Sequence, residues 1–169
     1  MSIAKSKVGT VLADIAIARM SEHDLLEVVE IEERSGLSRW GWAAYYGELQ
    51  GVNRDLMLVA RPQRRVSLSR GQVAGYIVAR ETAGELHINN VAVREEYRRQ
   101  GVGSALLTRI VEDGKRLGAT KAFLEVRAGN SAARALYERC GFSPIARRPN
   151  YYSEPQEDAV VMCFVLSQS

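Results

Sequence analysis

From Val91 to Ser104 the chain reads Val-Ala-Val-Arg-Glu-Glu-Tyr-Arg-Arg-Gln-Gly-Val-Gly-Ser, and no other stretch limits the available folds as strongly. An apolar, β-branched segment ends and a short basic loop with two glycines follows. Gly101 to Leu117 then carries Val102, Leu106, Leu107, Ile110 and Val111 at helical spacing. A strand therefore runs through a glycine loop into a helix N-terminus, with its free N–H groups and partial positive charge. Gly101 and Gly103 let the backbone approach a ligand with no Cβ in the way, and Arg98 and Arg99 add fixed charge beside it. Arg98, Arg99, Gln100, Gly101, Val102, Gly103 and Ser104 thus form the parts of a phosphate cradle, one suited to a pyrophosphate. A glycine-rich turn with solvated arginines is the plainer alternative. The two adjoining arginines and the strong helix behind them favour the anion site.

Two familiar phosphate loops are excluded. A nucleotide P-loop closes on Gly-Lys-Ser/Thr, and that tripeptide is absent from the chain. A dinucleotide fingerprint needs three glycines opening the first βαβ unit; here only Gly101 and Gly103 fit, and they follow a run of strands.

The rest of the chain frames this unit. Strands are expected at Val11 to Met20, Leu56 to Ala60, Gln72 to Arg80, Glu85 to Val93, Ala122 to Val126, Phe142 to Arg148 and Ala159 to Leu166. Helices are expected at residues 21 to 34, capped by Ser21, at Trp40 to Leu49, at Gly101 to Leu117 and at Asn130 to Arg139. Arg61 to Gly71, with Pro62 and four arginines, reads as a turn between strands. The order predicts one mixed α/β (α+β) domain over 11–169, seven strands and four helices, behind a polar tail at 1–10. At 169 residues with 46% hydrophobic and 25% charged, the chain is long and apolar enough to bury its own core. It has no run of 18 apolar residues to span a membrane and no apolar stretch near the start for a signal peptide. Two cysteines, Cys140 and Cys163, are too few for a disulfide framework and read as buried small hydrophobes, so a cytoplasmic, reducing setting is expected. The net charge of +3 gives no reason to expect nucleic acid. No cluster with metal-ligand spacing occurs, and His87 reads as an exposed or hydrogen-bonded strand residue.

Arg98-x-x-Gly101-x-Gly103 resembles the acetyl-CoA motif Q/R-x-x-G-x-G/A of the GNAT N-acetyltransferases, and the element order is similar to that fold over residues 11 to 166. Two further blocks resemble the ribosomal-protein N-alanine acetyltransferase (RimI) type within that family. One runs from Phe123-Leu124-Glu125-Val126-Arg127 through Asn130, Ala133 and Leu136-Tyr137-Glu138 to Gly141-Phe142. The other is Arg147-Arg148-x-Asn150-Tyr151-Tyr152 followed by Glu157-Asp158-Ala159 and Met162.

The resemblance implies roles. Glu125 matches the general base, against the alternative of an ion pair with Arg127 on the same strand face. Tyr137 matches the tyrosine beside the CoA sulfur, as an acid or hydrogen-bond donor, against a purely packing aromatic. Asn130 is a helix N-cap and, by resemblance, also a contact to the CoA arm. Val91, Ala92 and Val93 match the strand whose backbone pairs with pantetheine and polarises the thioester carbonyl, which implies that this strand and the Glu125 strand splay apart. Tyr151 and Tyr152, expected in the loop between the last two strands, either line an acceptor channel or cap the core. Trp40 belongs to an aromatic cluster with Trp42, Tyr45 and Tyr46 that faces the acceptor in this family. Ser38-Arg39-Trp40-Gly41 keeps only the tryptophan of the branch's Phe-Pro-Trp-Ser. The implied activity is acetyl-CoA-dependent transfer to the N-terminal α-amine of a protein, such as a small-subunit ribosomal protein, in a ternary complex. A small-amine acetyltransferase and a non-catalytic acyl-CoA-binding module are the alternatives. Monomer and homodimer are both compatible with the sequence.

Overall fold

The computed structural model describes residues 14–36, 39–63 and 72–166. The expected tail at 1–10 and most of the Arg61 to Gly71 turn lie outside them. Arg61 and Pro62 themselves belong to a strand rather than to that turn, and Arg61 pairs with the buried Asp24.

The strands are β1 (Ile15–Arg19), β2 (Met57–Pro62), β3 (Gly75–Thr82), β4 (Glu85–Val93), β5 (Lys121–Arg127), β6 (Ser143–Ser153) and β7 (Gln156–Val165). The helices are α1 (Leu25–Arg34), α2 (Gly41–Leu49), α3 (Val102–Arg116) and α4 (Ser131–Arg139). All seven strands form one sheet in the order β1-β2-β3-β4-β5-β7-β6. Only β4 and β5 pair in parallel, since α3 returns the chain between them; the other neighbours are antiparallel.

Side chains alternate across the central strands and fill two cores. Leu58, Ile77, Leu86, Leu106 and Ile110 pack on the α3–α4 face, while Met57, Val59, Tyr76 and Val78 pack on the α1–α2 face with Leu25, Val28 and Tyr45. Burial on both faces explains the unbroken apolar run in β2.

Two irregularities shape the middle of the sheet. Val78 pairs with Asn90 but Ala79 pairs with Ile88, so Asn89 is an extra residue in β4. Leu86 and Ile88 lie in the α3–α4 core before this bulge; beyond it Val91 and Val93 pack there, and Ala92 joins the other core. The β4–β5 ladder also stops at the pair Ile88–Leu124. From there β4 stays with β3 as far as Val93, and β5 stays with β7 as far as Arg127.

The start of α2 is held by a buried acid. Glu32 accepts from the Trp40 and Gly41 N–H groups at 2.8 and 3.1 Å and from the Tyr45 hydroxyl at 2.7 Å. Tyr45 also meets the Tyr76 hydroxyl at 2.9 Å and accepts from Asn90 at 2.9 Å, which ties both helices of that face to the sheet.

Candidate active site

The parting of β4 and β5 exposes backbone. Arg94 N–H donates to Ala74 on the β3 side at 2.8 Å, and successive strand amides face alternate edges. Ala92 therefore bonds toward β3, and the Val91 and Val93 amides face the opening. The splay that the resemblance implied is visible in this register.

Below that edge lies the glycine loop. Arg99 and Gly101 both adopt left-handed backbone, with φ of 60° and 82°. Gly101 is the N-cap of α3, and its left-handed φ is one that favours glycine. The N–H groups from Gln100 to Ser104 find no acceptor among the described residues; the first bond of the helix is Ala105 N–H to Gly101 O at 3.0 Å. Arg98 is exposed, and its Nε donates to Val93 O at 3.1 Å, which bends the guanidinium back over the opening. Gly103 lets α4 close in: a Cβ there would stand 3.0 Å from the Leu136 side chain. The loop thus presents unpaired donors beside an arginine, as an anion site requires. Arg94, in the same basic stretch, has another use. It is buried and binds Val73 O at 2.7 Å and the Glu27 and Glu30 carboxylates of α1 at 3.2 and 3.3 Å.

Across the opening, β5 alternates Ala122, Leu124 and Val126 into the α3–α4 core, which places Phe123, Glu125 and Arg127 on the other face. The alternative weighed for Glu125, an ion pair with Arg127, does not form. Arg148 of β6 reaches Glu125 at 3.4 Å, whereas Arg127 bonds Glu157 at 3.3 Å and Pro155 O at 3.0 Å. Tyr151 and Tyr152 lie within β6 itself, not in the loop after it, because that strand runs on to Ser153. Their rings meet edge-on at 5.1 Å. Arg148 sits over Tyr151 and Arg127 over Tyr152, at 5.7 and 4.3 Å. A hydrogen bond to Glu125 raises the Tyr151 pKa, and burial, followed by the Glu125 charge, pushes Tyr152 up to about 12.

Tyr137 completes the group from α4. Asn130 caps that helix, accepting from Ala133 N–H at 3.1 Å, as expected. The Tyr137 ring is buried against Phe142, and its hydroxyl, which makes no hydrogen bond to another described residue, still reaches solvent. Burial first, then the Tyr152 phenol and Cys140, push its pKa up to about 12. A phenol in that state is a neutral donor throughout the physiological range. Glu125, Tyr137, Tyr151 and Tyr152 are therefore one cluster. Trp40 packs on the α1–α2 core, its ring tilted against Tyr45 at 5.4 Å with Arg80 over it at 5.7 Å. Cys140 and Cys163 are half-buried rather than buried, and Cys140 reaches the Ser104 hydroxyl at 3.9 Å. His87 is exposed, bonded to Glu85 at 3.0 Å and stacked on Phe123. The described residues contain no group of three or more His, Cys, Asp or Glu placed to hold a metal ion, and no helix long and apolar enough to cross a membrane.

Arg134 escaped notice in the sequence. It follows Asn130 by one turn and precedes Tyr137 by three residues, a spacing that puts all three on one stripe of α4. Its Nη1 donates to Ala128 O at 3.0 Å, and its Nε is buried with no acceptor. A buried donor without a partner invites a ligand.

The raised phenols have a consequence for stability. Folded-state pKa values near 12 for Tyr137 and Tyr152, against 10.0 in the unfolded chain, mean that the folded state retains protons the unfolded state has lost. Their contribution is complete below pH of about 10 and is lost as pH rises through about 12. Thermal melts from about pH 9 to 12 are expected to show a falling Tm, with a shallower fall in Tyr137→Phe relative to that variant's own value at neutral pH.

The family model described as Acetyltransferase (GNAT) family matches residues 25–142. The ribosomal protein bS18-alanine N-acetyltransferase of Escherichia coli K12 is 38% identical over 156 residues, covering 89% of this chain and 97% of that protein. The crystal structure of the ribosomal-protein-S18-alanine N-acetyltransferase from Escherichia coli superposes with a TM-score of 0.76 at 30% identity, over 92% of this chain and 96% of that one. Ard1 from Thermoplasma volcanium superposes with a TM-score of 0.80 at 28% identity, over 91% and 99%.

Proposed function

The chain belongs to the GNAT acetyltransferase family and is an N-acetyltransferase, and from that premise we propose that it transfers the acetyl group of acetyl-CoA to the α-amine of a protein N-terminus by direct attack in a ternary complex. The acceptor we assign is the N-terminal alanine of a small-subunit ribosomal protein, the substrate named for its Escherichia coli relative. The observation that carries this reading is the ladder break after Ile88 and Leu124. It leaves unpaired amides on one side and the Glu125–Tyr151–Tyr152 cluster on the other, with the Tyr137 phenol near enough to Tyr152 for the two to perturb each other.

The residues present fit acetyl-CoA. The free N–H groups from Gln100 to Ser104, with Arg98 and Arg99, suit its pyrophosphate, and the Val91–Val93 edge suits the amides of its pantetheine arm. We assign Asn130 and Arg134, on one stripe of α4, to the same arm, Arg134 through its unpartnered Nε. Bound there, acetyl-CoA supplies an activated thioester carbonyl.

The chain supplies the proton chemistry. A Glu125 carboxylate oxygen takes the proton of the incoming amine, directly or through water. An N-terminal amine has a pKa of about 8 and a lysine about 10.4, so a carboxylate base at neutral pH favours the former. An amide N–H of the β4 edge stabilises charge on the carbonyl oxygen. The Tyr137 hydroxyl, protonated because it is buried, gives its proton to the departing thiolate. Tyr151 and Tyr152 flank the acceptor beside Glu125.

Thiol release from acetyl-CoA, measured with short peptides varied at residue one and with a panel of small amines, tests the reading. Turnover with Ala-initiated peptides, abolished by blocking the N-terminus, is expected. Turnover with small amines alone would replace the protein acceptor, and CoA binding without any turnover would overturn the catalytic assignment.

A further inference from the structure

The pairing of β6 with β7 shifts register between Arg148 and Tyr152, and a single side chain holds the resulting hump. Asp158 of β7 accepts from Arg147 Nε at 2.7 Å and from Asn150 N–H at 2.9 Å. Asn150 has a φ of 54°, the left-handed region that asparagine enters more readily than most residues. The Asp158 carbonyl accepts from Ala128 N–H at 2.9 Å, just where β5 ends. One residue therefore joins the hump of β6 to the exit of the Glu125 strand. Both hydrogen bonds, that of Asn150 first, keep its carboxyl below the ordinary aspartate pKa, so it is ionised where it grips.

What rides on the hump is the acceptor side of the cluster. Arg148, which reaches Glu125 at 3.4 Å, lies directly before it, and Tyr151 and Tyr152 lie at its far end. Asp158 has no bond to Glu125 or Tyr137 among the described residues, so any effect it has on turnover passes through this backbone.

We propose that Asp158 is a positioning residue that sets affinity for the amine acceptor: its grip on Arg147 and Asn150 holds Arg148, Tyr151 and Tyr152 in register with Glu125. The assignment rests on the reading of that cluster as the acceptor side. The donor cradle at Gln100 to Ser104 hangs on β4 and α3, and the clamp does not touch it.

The test uses the full chain with Asp158→Ala, Asp158→Asn, Arg147→Met and the double variant Arg147→Met/Asp158→Asn. Asp158→Ala is expected to raise the acceptor KM by about tenfold or more while the acetyl-CoA KM stays within about twofold. Asp158→Asn keeps an acceptor for the Asn150 amide and loses the charged pair, so its effect should be intermediate. The double variant should be no worse than the more impaired single variant, because both remove one bond. Hydrogen exchange at the Asn150 amide should accelerate in Asp158→Ala, a readout that needs no turnover. If the wild type acetylates no peptide, the protein-acceptor reading fails, and the acceptor KM is then read with the amine it does use. Equal rises in both KM values, or an unchanged acceptor KM alongside faster exchange, would overturn the clamp. Should Asp158→Ala not fold, Asp158→Asn and Arg147→Met carry the same comparison.

Discussion

Tyr137→Phe is expected to lower kcat by about 10²- to 10⁴-fold, the range for loss of a positioned acid, with little change in Tm. The substitution deletes one oxygen that makes no hydrogen bond to another described residue, so folding loses almost nothing. Burial against Phe142 is retained by the phenyl ring. If the hydroxyl serves the leaving thiolate, its loss falls on the chemical step and leaves the acetyl-CoA KM near its wild-type value. Steady-state kinetics with acetyl-CoA and a peptide acceptor decide the matter. An unchanged kcat would reduce Tyr137 to a packing residue, and a raised KM with normal kcat would make it a binding contact only.

Glu32→Ala should cost about 3 kcal/mol or more in equilibrium denaturation, the largest stability effect expected of a polar substitution in this chain. Glu32 is 1% exposed and accepts from two backbone amides and the Tyr45 hydroxyl. Alanine strands all three donors, each worth about 1–3 kcal/mol when left unpaired in a buried site. The damage spreads because Tyr45 also holds Tyr76 and Asn90, so the start of α2 and the middle of β4 lose a common anchor. Glu32→Gln retains one oxygen acceptor and should recover part of the loss. A cost of less than about 1 kcal/mol for the alanine variant would show that water replaces the carboxylate at the head of α2.

Local signals were enough for much of the architecture. The alternation from Glu85 to Val93 marked β4 to the residue, and Asn130 was identifiable as a cap before Ser131. The glycine loop was legible because its chemistry is contiguous. What stayed hidden depends on residues far apart in sequence. Glu125 and Arg127 share a strand face, and nothing local says that one will meet Arg148 and the other Glu157. Strand β6 extends to Ser153 although Pro149 falls inside it; as an edge strand exposed along nearly its whole length, it shows no burial alternation to read. Of the strand expected from Val11 to Met20, Ile15–Arg19 forms β1, and residues 11–13 lie outside the described residues. Nothing local marks Glu32 or Arg94 as buried, or Asp158 as a clamp, since a charge that binds distant backbone has no sequence signature of its own. Even the splay, implied by resemblance, became physical only when the pairing ended at Leu124.

That ending makes the native state an open thermodynamic system. A sheet interrupted in its middle holds part of its hydrogen-bonding capacity in reserve, and a molecule that takes up the reserve binds the folded chain and not the unfolded one. At a hundredfold excess over its Kd, such a molecule adds about 2.7 kcal/mol to the free energy of unfolding. With the donor bound as proposed, the population of folded enzyme is coupled by mass action to the supply of acetyl-CoA, and resistance to heat or proteolysis becomes a gauge of occupancy as much as a property of the sequence.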